Sequence, residues 1–351
     1  MIRKIAILAI ALLLCVLPLA VGAQTDQSLE RALDALRQWQ QPDGGFTNGF
    51  AEGSDVGATA DAVVALVAAG VDPAGWRADG GSPLDYLEEQ VRNGAVDGPG
   101  LAAKVAMVVV VAGGLPTDFA GADLIAPILH GYDESIGLFG GGPFDSALAV
   151  TALAAARVSL PEGALSGLLS TRLDDGSFSF SGDRTPGAGD SNTTAMVIQA
   201  LVASGASDEI DPSLDYLRGA QNEDGGWTYQ KPSAYGEETD ANSTALVIQA
   251  LMAAGEDLAA WGDPQQALLN LQVPSGAFIY SRSTSSENVL ATLQAIPVLA
   301  GVSYADVAEQ GGELGTLKSP EQAYGGGLVL IVLAFLVVVL IVGLIAGRRG
   351  A

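Results

Sequence analysis

Residues 190–205 read DSNTTAMVIQALVASG, and residues 240–255 read DANSTALVIQALMAAG. The two stretches are near copies, and their reading decides the fold. Each opens on a carboxylate followed by small hydroxyl and amide residues, the side chains that cap helix N-termini. Each continues through Ala, Val, Ile and Leu with no charge, and stops at Gly, a favoured residue just past a helix end. Such a helix is apolar nearly all round and has to be buried on most faces. Weaker copies start near Asp55 (to Gly70), Asp145 (to Val158) and Glu287 (to Gly301), and a degenerate one runs from Gly98 to Gly113. The chain is therefore a repeat of six units of about 40–50 residues each.

A second, more polar segment precedes each apolar helix: Leu29–Trp39, Pro83–Val91, Asp123–Leu129, Glu162–Thr171, Ser213–Ala220 and Pro264–Leu271. Polar residues interrupt these segments at helical spacing, which predicts one wet face. Six buried and six half-exposed helices predict an inner barrel with an outer shell. An open solenoid would need polar capping units at its ends. No capping unit is evident, which favours closure.

The turn joining outer to inner helix carries the most information. Leu36-x3-Gln40-x3-Gly44-x-Phe46 recurs as Leu217, Gln221, Gly225, Trp227 and as Leu268, Gln272, Gly276, Phe278. Asp133 replaces the Gln in Leu129, Gly137, Phe139, and Leu169, Gly176, Phe178 is one residue shorter. In the second unit, Leu87 to Gly100, the pattern is nearly lost. The glycines allow a tight turn with positive φ, the Gln can satisfy the turn's free backbone groups, and the aromatic fills the seam between units. This Gln…Gly-x-Trp/Phe pattern resembles the QW repeat of squalene and oxidosqualene cyclases. It is also similar to the repeat of protein prenyltransferase β subunits, and cobalamin carriers of the intrinsic factor type share that toroid. The resemblance covers about residues 29–301 and implies an all-α fold, a single (α/α)6 toroid with a central cavity.

The chemistry of those enzymes does not come with it. The Asp-x-Asp-Asp acid of squalene-type cyclases is missing, and the one Asp pair, Asp174-Asp175, continues Gly-Ser-Phe and lies in a repeat turn. That also fails the Asp-Asp-x-x-Asp magnesium pattern of class I terpene chemistry. The prenyltransferase zinc site needs Asp, Cys and His, and thioester toroids need Cys-Gly-Glu-Gln. The sole Cys, Cys15, stands in the N-terminal apolar run, and the sole His, His130, ends an outer helix. One Cys and one His exclude a disulfide framework and a Cys/His zinc site. No metal or cofactor is expected.

Both ends read as membrane signals. Arg3 and Lys4 precede an apolar run from Ile5 to Ala20, and Val21-Gly22-Ala23 ends it with small residues, so residues 1–23 read as a secretory signal peptide. A lipoprotein reading needs a small residue before Cys15, where Leu14 stands. Residues 24–302 form the toroid domain in this reading, and 303–327, with Gly, Glu, Gln and Ser, form a linker. Residues 328–346 are apolar or Gly throughout; at 1.5 Å per residue they span about 28 Å, enough for a bilayer core. Arg348 and Arg349 place residues 347–351 in the cytoplasm. The expected location is the cell membrane, single-pass, with the bulk extracytoplasmic. All 40 acidic residues lie between the two terminal basic pairs, leaving 12 basic against 40 acidic and a net charge of −28 on the outward body. Nucleic acid is excluded as a partner, because phosphate binding needs a basic surface.

A candidate site lies at one barrel mouth. Asp55, Asp145, Asp190, Asp240 and Glu287 open inner helices and would form a ring of carboxylates in a closed barrel; N-capping alone also accounts for them. Asn192 and Asn242 follow by two residues and sit in formal glycosylation sequons, though at the start of buried helices. Phe180, Tyr229 and Tyr280 each stand two residues beyond a plug aromatic, where a ligand can stack. The long loops Ser181–Gly189 and Gln230–Thr239 flank them. Two function classes stay open. One is a non-catalytic, membrane-tethered binding protein that holds an apolar, isoprenoid-like or cofactor-like small molecule, or a cell-surface protein. The other is a terpenoid-cyclase or prenyltransferase-like enzyme with a non-standard acid such as Asp190 or Asp240. A carbohydrate-active toroid with a carboxylate pair is a third reading.

Overall fold

The structure is a computed structural model describing residues 25–77, 80–234 and 236–310. The stretches read as a signal peptide (1–23), a membrane-spanning segment (328–346) and a tail lie outside the described residues. Among the described residues, no helix is long and apolar enough to cross a membrane.

Twelve helices alternate between an outer and an inner layer. The outer ones are α1 (25–37), α3 (Pro83–Arg92), α5 (Ile125–His130), α7 (Ala164–Ser170), α9 (Asp211–Ala220) and α11 (Pro264–Leu269). The inner ones are α2 (Val56–Ala68), α4 (Pro99–Val111), α6 (Pro143–Ala155), α8 (Ser191–Ala203), α10 (Ala241–Ala253) and α12 (Val289–Ala300). Each inner helix packs on the next, and α12 packs on α2, so the barrel is closed. The inner helices are buried along most of their length, as their apolar composition requires. Two short antiparallel pairs, Tyr132–Asp133 with Leu138–Phe139 and Phe278–Ile279 with Glu287–Asn288, tighten two of the turns.

The seams between units explain the repeat. Gln40 Nε2 donates to Gly44 O at 3.0 Å and, more weakly, to Trp76 O in the next unit at 3.4 Å. Gln221 likewise holds Gly225 O at 2.8 Å and Trp261 O at 2.7 Å. Gln272 holds Gly276 O at 2.9 Å and Ser28 O at 2.8 Å. This last bond joins the sixth unit to the first, and Arg31 completes it by donating to Gln272 Oε1 at 2.8 Å. The plug aromatics Phe46, Phe139, Phe178, Trp227 and Phe278 are all fully buried. The Trp227 indole also donates to Leu217 O at 2.7 Å.

Asp55, Asp190 and Asp240 are N-caps, accepting from the backbone N–H of Ala58, Thr193 and Ser243. Two expected helix openings differ. Gly142 caps α6, and Asp145 sits inside its first turn, accepting from Gly141 N at 3.0 Å. The shift follows from Pro143, which is suited to the first helical position. Asn288 caps α12, while Glu287 lies in the short strand, exposed and bonded to Ser275 Oγ at 2.6 Å.

The stretch read as the start of a linker begins with a helix, α13 (Tyr304–Gln310). Ser303 and Asp306 form a reciprocal cap, each side chain accepting from the other's backbone N–H at 3.0 and 2.8 Å. This helix packs against α2, α4, α6, α8 and α10, so it lies across the barrel axis at the end where the inner helices finish. Ala305 and Val307 are buried there, and Tyr304 N donates to Gln199 Oε1 at 3.1 Å. The barrel thus has one mouth, at the helix N-termini, and a floor made by its own chain.

Candidate functional site

Inner-helix register determines what faces the barrel axis. The sixth residue past each cap is Asp61, Lys104, Leu148, Met196, Leu246 and Gln294, and all six line one central cavity. Phe144 lies above this level, while Gln249, Pro297 and Tyr304 lie below it. The cavity volume is about 60 Å³, room for roughly two waters and far below the 300–1,000 Å³ of ordinary ligand pockets.

One ion pair stands in this apolar wall. Lys104 Nζ reaches both Asp61 oxygens, at 2.8 and 2.9 Å. The two side chains are about a fifth exposed. Asp61→Ala leaves the ammonium without its partner and is expected to cost about 2 kcal/mol, whereas Asp61→Leu combined with Lys104→Met is expected to restore or exceed the original stability. Urea unfolding of the two variants checks this, and a double variant weaker than the single would refute it.

At the mouth, Asp190 and Asp240 are 1% exposed. Burial pushes the Asp190 carboxyl up to about 6, despite the hydrogen bond from Thr193 N at 2.7 Å. Burial likewise pushes Asp240 up to about 6, against bonds from Ser243 N at 2.7 Å and Ser243 Oγ at 2.8 Å. Tyr229 and Tyr280 are themselves raised to about 12, first by burial and then by those carboxylates. The contact repeats with the fold. Ser191 N donates to Tyr229 O and Ala241 N to Tyr280 O, both at 2.8 Å, so the second aromatic of one unit locks onto the preceding inner helix. Phe180 has no hydroxyl, and the helix it meets is capped by Gly142; its ring instead lies 5.3 Å from that of Phe144.

Asn242 Nδ2 donates to Gln294 Oε1 on the adjacent inner helix at 3.0 Å. Five buried polar atoms cluster here without a hydrogen-bond partner among the described residues: Asp190 Oδ2, Ser191 Oγ, Asn192 Oδ1, Thr193 Oγ1 and Asn242 Oδ1. Buried polar atoms of this kind are ordinarily satisfied by protein, water or ligand. The expected ring of five carboxylates is not formed as such. Asp190 and Asp240 are alike, Asp55 accepts from Asn48 and Ala58, Asp145 holds a turn, and Glu287 faces away to Ser275.

Roomier sites lie in the loops: one of about 390 Å³ is bounded by Leu173, Asp174, Asp175 and Arg184, and another lies on the rim. A groove of about 390 Å³ runs between the loop after Tyr229 and the loop after Tyr280. Tyr229 and Tyr280, 41% and 37% exposed, line it with Gln230, Glu237, Glu238 and Ser283. Glu238 Oε2 accepts from Ser283 N at 3.2 Å and from Ser283 Oγ, tying the two loops together. These bonds hold the Glu238 carboxyl below its usual range. Asp61, Lys104 and the α13 floor were not among the sequence candidates. Aligning the six helices on their caps would have set Asp61 and Lys104 side by side.

The sequence matches no protein-family model and no curated protein. Solved structures do match. The type II terpene cyclase MstE from Scytonema is 14% identical, with a TM-score of 0.56, covering 80% of this chain and 98% of that one. Haptocorrin in complex with Cbi is 15% identical, with a TM-score of 0.54, covering 80% of this chain and 67% of that one. An ent-copalyl diphosphate synthase from Streptomyces platensis matches at 16% identity and a TM-score of 0.48 over 71% of this chain; the chain spans half of that protein's length. The likeness is one of fold, the α/α toroid, and at this identity it says nothing of function.

Proposed function

We propose that this chain is a membrane-tethered, extracytoplasmic toroid that binds a ligand or a surface partner at its mouth without transforming it. The observation behind this reading is the distribution of space. The barrel interior offers about 60 Å³ above its α13 floor, and the rim groove between Tyr229 and Tyr280 offers about 390 Å³. The cavity at the Asp61–Lys104 level is too small for a polyprene chain, while the groove is of ligand size. The half-exposed aromatics give an apolar platform, and the surrounding hydroxyls and amides give orientation. The described chain ends on the floor side, so an anchor at 328–346 would leave the mouth facing outward.

A catalytic reading keeps one supporting observation. Asp190 and Asp240 are buried acids raised to about 6, the range suited to proton transfer near neutrality. Against it, both already serve as N-caps beneath tyrosines. Native mass spectrometry of the full-length protein from its own host tests the proposal. The expected result is a co-purifying ligand or partner that Tyr229→Ala with Tyr280→Ala releases. Turnover of a polyprene substrate that disappears in Asp240→Asn would overturn it.

A further inference from the structure

The rim groove has an unusual balance of charge, and this balance bears on the chemistry of what enters it. Its lining includes Glu237 and Glu238 and, among the described residues, no Lys or Arg. Both carboxylates are held by neutral donors. Ser233 N donates to Glu237 Oε1 at 3.2 Å, and Ser283 holds Glu238. Neither forms an ion pair among the described residues. Lys231, in the loop after Tyr229, has its Nζ on Asn222 Oδ1 at 2.9 Å and on Gln221 O at 3.4 Å. Arg282 is exposed and does not line the groove.

Beneath the groove lie two more carboxylates. Asp190 and Asp240 cap α8 and α10, whose first residues hydrogen-bond the Tyr229 and Tyr280 carbonyls, and Asp190 Oδ2 is buried without a hydrogen-bond partner among the described residues. The inner-helix N-termini are positive ends, and the capping carboxylates offset them. Glu237 and Glu238 are in excess of that balance.

We infer that the groove between Tyr229 and Tyr280 takes a cationic side chain, an arginine on a segment of a partner protein, with the guanidinium against a tyrosine face and its N–H groups on Glu237 and Glu238. This deepens the binding function proposed above and rests on it. Arginine fits better than lysine because its planar fork stacks on an aromatic ring and meets a carboxylate through two parallel hydrogen bonds. A peptide suits the site because the groove is an open trough between two loops, with the exposed Thr284 also on its lining. The outward body's charge of −28 would speed the approach of such a partner and make its arrival salt-dependent.

The test is calorimetric titration of the full-length protein with a blocked arginine-glycine peptide and with its citrulline twin, which keeps the shape and loses the charge. Binding of the arginine peptide is expected, with the citrulline twin weaker by about tenfold or more. Glu237→Gln and Tyr280→Leu are expected to lose a similar factor, and Tyr280→Phe to keep most of the affinity. Equal affinity for the two peptides, or no heat from the arginine peptide at millimolar concentration, overturns the inference. A neutral oligosaccharide that binds instead and is released by Tyr280→Leu overturns the cation while leaving the binding function intact. Asp240-dependent polyprene turnover removes both.

Discussion

Gly276→Ala is expected to destabilise the protein by about 3–5 kcal/mol, the combined effect of a left-handed backbone and an overpacked contact. Gly276 has φ +95°, and a Cβ built there would lie 2.0 Å from Arg31 O and 2.4 Å from its carbonyl carbon. That carbonyl is rigid backbone of α1 in the first unit, so no side chain can swing aside. The same turn presents Gly276 O to Gln272, the residue that also holds Ser28 O. Relieving the clash therefore opens the seam that closes the ring. Gly255→Ala is the control: φ there is +72°, with nothing within 4 Å of the added carbon, and about 1–2 kcal/mol is expected. Thermal unfolding should separate the two variants by roughly 5–10 °C for a domain of this size. Equal melting temperatures would mean that the seam yields freely.

The second large effect is a pH dependence. Asp190 and Asp240 are held near 6 in the folded protein and titrate near 3.9 when unfolded. The folded state holds these protons more tightly. Its added stability is complete below the unfolded value and is lost as pH rises from about 4 through 6. A displacement of that size is worth about 3 kcal/mol per carboxyl. Asp190→Asn removes the ionisation and keeps the cap, because Asn serves as well as Asp at that position. At pH 8 the variant is expected to be more stable than the parent by up to about 3 kcal/mol, with the difference vanishing near pH 4. Asp240→Asn should behave alike. Urea unfolding across pH 4–8 measures this directly. A parent protein whose stability rises from pH 4 to 7 at the expense of the Asn variants would contradict the burial argument.

The repeat made most of the architecture legible. The Asp190 and Asp240 stretches carry cap, apolar body and Gly stop in one phrase, so their helices were placed nearly to the residue. The Gln of the turn was readable too, because a side-chain amide at a helix end has few other uses beside free carbonyls. Its second bond, across to the next unit, is a tertiary fact that no local pattern displays. Gly142 and Asn288 displaced Asp145 and Glu287 as caps because Pro143 and a short strand set the first turn, and an acidic residue nearby mimics a cap in one dimension. The helix α13 was hidden by composition. Ser303–Gln310 is short and charged enough to read as linker, and its burial of Ala305 and Val307 is supplied wholly by the barrel end. At the site, Tyr229 and Tyr280 were visible through their spacing from the plug residues. The Asp61–Lys104 pair was not, because each residue alone is one charge in an apolar helix.

The bond from Gln272 to Ser28 has a consequence for how the molecule comes apart. An open stack of repeats frays from its ends, since a terminal unit has one neighbour to leave. Here every unit has two neighbours, and the joint without a peptide link is held as at the Gln40 and Gln221 joints, by one Gln amide bridging its own turn and a carbonyl of the neighbouring unit. Removing any one unit breaks two joints, so a five-sixths ring is a poor intermediate. The barrel should therefore melt in a single concerted step rather than unit by unit. A mouth assembled from loops of successive units then exists whole or not at all.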